Sequence, residues 1–90
     1  MRFEWDEAKR IANIEKHGID FLRAREMFDG RPLLEAVSLR GDERRVLSIG
    51  ALDGRIVAIV WTLREGSAVR IISVRRARDA EERQYRQTFV

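Results

Sequence analysis

Sixteen of the 18 basic residues in this chain are arginine, and four of them, Arg64, Arg70, Arg75 and Arg76, fall within one short stretch. A guanidinium stays charged and presents a planar fork that grips phosphate oxygens in pairs. Such a cluster can hold a phosphodiester and stabilise the charge that builds on its oxygens, an effect that usually contributes most to catalysis of this kind. Strict strand alternation puts Arg70, Ile72, Val74 and Arg76 on one face, and Val69, Ile71, Ser73 and Arg75 on the other. Arg64 depends on the intervening loop. A two- or four-residue loop at Gly66-Ser67 turns it away from Arg70, whereas the three-residue loop Glu65-Gly66-Ser67 pairs it with Ala68 on the Arg70 face. The spacing leaves both open. The competing reading is that these arginines form surface ion pairs with Glu65, Glu81 and Glu82, worth about 0–1 kcal/mol each, and owe their number to an arginine-favouring genome.

His17 is the only histidine, and an imidazole titrates close enough to neutrality to move protons. Just before Gly18 it equally suits a charge facing a helix C-terminus. Glu65, beside Arg64 at a hairpin tip, can act as a general base. Tyr85, the sole tyrosine, either packs or stacks a base. With no cysteine, one histidine and scattered carboxylates, no metal-ligand spacing exists. Glycine-rich phosphate loops and nucleophile elbows are absent too, so neither metal nor cofactor is expected.

These residues need a scaffold, and 90 residues with 44% hydrophobic content suffice for one modest core, a single domain over 1–90. The net charge is +3, with the basic excess towards the C-terminus, where an anionic partner is expected. The longest apolar run, Ile56 to Trp61, is far short of the roughly 20 residues that span a bilayer. Arg2, Glu4, Asp6 and Glu7 interrupt any leader-like apolar stretch, so the expected compartment is the cytoplasm, with no membrane contact.

The pattern predicts an opening strand at Arg2–Trp5, then a helix over 7–17 capped by Asp6 and ended by Gly18, with Ala8, Ile11 and Ile14 along one face. A second helix over 21–28, capped by Asp20, turns Phe21, Ala24, Met27 and Phe28 inward before Gly30 and Pro32 stop it. Strands follow at 33–39, 44–49, 55–63 and 68–74, with turns at Gly41-Asp42, Ala51–Gly54 and Gly66-Ser67. Ile56–Val60 is apolar throughout, as a central strand covered on both faces should be. Asp79-Ala80-Glu81-Glu82 opens a last helix to about Gln87. The class is α+β.

Several stretches together resemble the BrnT toxin family, within the broader RelE-like group. They are Phe3-Glu4-Trp5-Asp6, Lys9, Asn13, Lys16-His17-Gly18-Ile19 with Phe21, Ala24 and Phe28, Glu43-Arg44, Ile49-Gly50, Trp61-Thr62 with Arg64, Arg70 to Ala77, Glu81 and Tyr85. The resemblance spans nearly the whole chain in order. It implies a RelE-like fold: two N-terminal helices packed on one side of a curved antiparallel sheet, a C-terminal helix, and a basic surface on the other side. It also implies metal-independent RNA cleavage, neutralisation by a ribbon-helix-helix antitoxin, and operator DNA binding through the joint complex. Under it Arg64, Arg70 and Arg76 hold phosphate, Glu65 or His17 handles the proton, and Arg75, Lys16 and Tyr85 contact RNA. The alternatives are a non-catalytic RNA- or DNA-binding module with an arginine-rich phosphate-binding face, and an interaction protein whose basic face meets an acidic partner.

Overall fold

A computed structural model describes all 90 residues. Strand β1 (Phe3–Glu4) leads into helix α1 (Glu7–His17) and the short helix α2 (Phe21–Ala24), which runs on as a 3-10 turn over Arg25–Phe28. Strands β2 (Leu34–Arg40), β3 (Glu43–Leu52), β4 (Arg55–Arg64) and β5 (Ala68–Arg76) follow, then helix α3 (Asp79–Phe89). The sheet order is β1-β5-β4-β3-β2. β1 pairs parallel to β5, so the sheet is mixed where an antiparallel one was expected.

Local chemistry accounts for the helix ends. The Asp6 carboxylate accepts hydrogen bonds from the Ala8 and Lys9 amides, and Asp20 accepts one from the Leu22 amide. Asp20 also takes a forked pair of bonds from Arg10, which ties α1 to α2. The face that α1 buries differs from the expected apolar one. Ile11 is 51% exposed and Ala8 is exposed, while Arg10, Asn13, Ile14 and His17 turn inward. A polar residue leads this face because β5 presents backbone there. The Asn13 amide donates to the carbonyls of Val74 and Ile19, and its oxygen accepts from the Val74 amide.

The β3–β4 turn is the two-residue loop Asp53-Gly54, with φ of +50° and +78°. Both values are positive, as a type I′ turn requires, so the strands run closer to the tip than the expected four-residue turn allowed. Between β4 and β5 the loop is Glu65-Gly66-Ser67, and Arg64 pairs with Ala68. Of the two loop readings, the three-residue one is observed.

β5 carries one more residue than β4 opposite it. Trp61 pairs with Ile71 and Val60 with Ser73, so Ile72 has no partner and forms a β-bulge. Past it the alternation is reset. Val69, Ile71 and Val74 all join one core with Val57, Ile59, Ile19, Phe21, Ala24 and Met27, under α1 and α2. A second, smaller core of Ile49, Ile56, Ala58 and Tyr85 lies on the opposite face beneath α3. Helices therefore cover both faces of the sheet, not one. The fully apolar Ile56–Val60 stretch needs this cover, since its side chains enter both cores.

Asn13→Ala should leave the Val74 amide and two carbonyls without partners inside the protein. Each such group costs about 1–3 kcal/mol, so urea unfolding should show a loss of at least about 3 kcal/mol with an unchanged m-value.

Candidate nucleic-acid interface

The face that carries α3 is divided in two. Across its lower part run Leu34, Leu47, Ile49, Ala51, Ile56 and Ala58, which pack with Tyr85 of α3. Across its upper part the cross-strand pairs are polar: Arg40 lies opposite Glu43, Ser38 opposite Arg45, and Thr62 opposite Arg70, with Glu4 beside Arg70 on β1. Arg64 projects from this same face, two residues beyond Thr62 on β4. No helix covers this charged region.

Two carboxylates are seated among these arginines. Glu4 lies 3.2 Å from Arg70, and Glu43 is bonded to Arg45. The hydrogen bond from Arg45, and beyond it the charges of Arg64 and Arg70, hold the Glu43 carboxyl below the ordinary glutamate range. Thr62 is buried between Arg45 and Arg70 and donates its hydroxyl to the Arg44 carbonyl. Arg64 is exposed and has no carboxylate partner. Beside it, Glu4, Leu63, Arg64 and Glu65 line a shallow depression. The side chain of Glu65 is exposed and unpaired, while its carbonyl accepts from Arg2.

The candidate residues separate accordingly. Arg64, Arg70 and Glu65 come together at one end of the sheet. Arg75 shares their face, because the bulge moves it there, but it makes a forked pair with Glu81 of α3 at 2.8 and 3.0 Å. That much of the ion-pair reading holds. Arg76 corrects the alternation: it pairs with Val57, whose side chain enters the α1–α2 core, and so lies on the opposite face from Arg70. His17 and Lys16 end α1, which crosses β5 at Val74, about 13 Å along the strand from Arg70. They lie on the far face and do not join Glu65. Tyr85 is buried in the smaller core against Ile49 and Ile56, with Phe89 on its other side, so it packs and offers no ring to a base.

Arg40, Glu43, Arg45 and Glu4 escaped the reading of the sequence as members of this group. They stand on three other strands, and only the sheet register brings them beside Arg64 and Arg70. The one signal in the residues was the charged strand ends around the Gly41-Asp42 turn, directly preceding apolar continuations. No group of three or more histidine, aspartate or glutamate side chains is placed to hold a metal ion.

A family model described as "Ribonuclease toxin, BrnT, of type II toxin-antitoxin system" matches residues 5–81. The chain belongs to the BrnT family. The crystal structure of the Brucella abortus ribonuclease toxin BrnT shares its fold, with a TM-score of 0.67 and 33% identity, over 88% of this chain and 99% of that one. No curated protein sequence matches the chain at a significant level. The residues matched to the BrnT model take in α1, α2 and strands β2 to β5, and they end at Glu81 in the first turn of α3. No helix is long and apolar enough to cross a membrane.

The Arg75–Glu81 pair anchors α3 at the lower border of the charged face. Bonding to Arg75, then to the Arg78 amide, pulls the Glu81 pKa from its usual 4.5 to about 2. A depressed carboxyl stabilises the fold above its unfolded value and loses that contribution as pH falls towards the folded one. Glu81→Gln should thus lower the melting temperature at pH 7, and the gap to the parent should close between about pH 5 and pH 2. A gap that stays constant over that range would show that the charge on Glu81 is not what holds α3.

Proposed function

We propose that this chain is a RelE-like, metal-independent endoribonuclease toxin that acts in the cytoplasm as a single domain. The observation that carries this reading is the placement of Arg64 and Arg70 together on an uncovered, charged sheet face in a chain of the BrnT family. Arginines, carboxylates and a threonine make up that face, and the chemistry they offer is positioning, charge stabilisation and proton transfer.

In the proposed reaction the ribose 2′-hydroxyl attacks the adjacent phosphorus. The bond from phosphorus to the 5′-oxygen breaks, leaving a 2′,3′-cyclic phosphate. Arg64 and Arg70 grip the phosphoryl oxygens, with Arg45 alongside, where charge rises in the transition state. Glu4 and Glu43 are engaged by Arg70 and Arg45, and they hold those guanidinium groups in place. Glu65 is the neighbouring carboxylate with no partner, and it takes the 2′-hydroxyl proton, while the departing 5′-oxygen takes one from water. Such acid–base help contributes about 10²–10⁴-fold.

The partner in this reading is a ribbon-helix-helix antitoxin that masks the arginine face, and operator DNA is reached only through the complex. Purified protein should cleave RNA in excess EDTA. Arg64→Ala and Arg70→Ala should each lower the rate by about 10–150-fold, the equivalent of a charge-assisted bond of about 1.5–3 kcal/mol, without a matching loss of stability. Tight RNA binding with no cleavage under any of these conditions would instead make the chain a binding module.

A further inference from the structure

The loop between β4 and β5 carries Glu65, the unpaired carboxylate of the arginine face, and its backbone is unusual. Gly66 and Ser67 have φ of +76° and +64°. The first value suits a glycine. The second is a left-handed conformation that a residue with a side chain adopts at a cost, and that persists only where surrounding structure fixes it. The one side-chain hydrogen bond that reaches these three residues comes from Arg2, whose guanidinium donates to the Glu65 carbonyl at 3.2 Å. The same guanidinium lies hard against the turn. A Cβ placed on Gly66 would stand 2.8 Å from Arg2 Nη2, so Gly66 is required by its backbone angle and again by the approach of Arg2.

Arg2 is itself well anchored. Its carbonyl accepts the Val69 amide at 2.8 Å, just before β1 pairs with β5. Next to it, Phe3 packs against the main core with its ring edge-on to Phe28 at 5.4 Å. Arg2 and Glu4 flank Phe3 and turn to the other side, the arginine face. There Glu4 pairs with Arg70 at 3.2 Å. Arg2 stands beside Ala68, the residue opposite Arg64. This short edge segment therefore reaches both halves of the site: Glu4 holds Arg70, and Arg2 holds the loop that follows Arg64.

We infer that Arg2 is a positioning residue for the proposed cleavage, fixing Glu65-Gly66-Ser67 in the conformation that keeps the Glu65 carboxylate beside Arg64. Arg64 is held by its strand pairing with Ala68, but Glu65 has no such partner. With Arg2 removed, Ser67 is free to leave its left-handed conformation, and the carboxylate moves with the loop. A reacting group displaced by about 1 Å can cost about 100-fold in rate. The inference rests on the ribonuclease reading of the arginine face and adds to it the residue that sets the base.

The test compares the full chain with Arg2→Ala, Arg2→Lys and Gly66→Ala in single-turnover RNA cleavage, with backbone NMR order parameters read alongside. Arg2→Ala should lower the rate at saturating RNA by about 10–100-fold and leave the half-saturating RNA concentration within about twofold. The order parameters of Gly66 and Ser67 should fall from about 0.85 towards about 0.6, while those of β4 and β5 stay unchanged. Arg2→Lys keeps a donor for the carbonyl and should regain part of the rate. Gly66→Ala drives the guanidinium off the loop and should reproduce the loss, and the double variant should be no slower than the slower single one. A parental rate and unchanged order parameters in Arg2→Ala overturn the inference. So does a raised half-saturating concentration at an unchanged maximal rate, which makes Arg2 a contact for an RNA phosphate. If Arg2→Ala melts too early to assay, Gly66→Ala decides by the same two readouts. A parent chain that cleaves no RNA overturns the ribonuclease reading instead, and the order parameters alone then decide whether Arg2 holds the loop.

Discussion

Ile72, unpaired at the bulge opposite Val60 and Trp61, lets β5 send Val69, Ile71 and Val74 into the same core. An unbroken strand would place Val74 away from the other two, put Ser73 opposite Ile59 where Val74 now packs, and move Arg75 to the α1–α2 face opposite Val57, away from Glu81. A bulge bends and twists the strand locally, whereas the unbroken register would exchange the fully buried Val74 for a serine in the α1–α2 core and forfeit its apolar burial. Asn13 sits at the reset point and binds both backbone groups of Val74, so α1 is fastened where the register changes.

From that reset follows the division of the α3 face. Arg75 emerges beside the smaller core and is consumed in holding Glu81, which also bonds the Arg78 amide at the start of α3. Arg70 emerges before the bulge, among Thr62, Arg45, Glu43 and Glu4. Two arginines of similar sequence context thus do different things: one secures a helix, and the other faces open solvent beside Arg64. The carboxylates among the open arginines limit their mutual repulsion without neutralising the group, and Arg64 and Arg40 remain unpaired.

Much of this was legible in the residues. Asp6, Gly18 and Asp20 mark helix ends because capping is local chemistry, and α1 spans the predicted residues. Phe21, Ala24, Met27 and Phe28 turn inward as their spacing requires. The inward face of α1 was not legible, because Asn13 is buried to meet a strand whose position only the fold supplies. The bulge was invisible for a related reason: Ile72 is as apolar as its neighbours, and nothing in its type marks it as unpaired. Arg76 was therefore grouped with Arg70, and Arg40 and Arg45 were not grouped with it at all. The loop at Gly66 was left open by the sequence and resolved by the pairing of Arg64 with Ala68.

Which arginines share a face decides which of them can meet one phosphate, and one comparison separates the possibilities. Cleavage of the same RNA should be timed for Arg70→Ala and Arg76→Ala under single-turnover conditions, with folding checked by thermal melting. The bulged strand predicts a loss of about 10–150-fold for Arg70→Ala and a rate within about twofold of the parent for Arg76→Ala. Equal, large losses in the two variants would contradict it, because they would put Arg70 and Arg76 on the same phosphate.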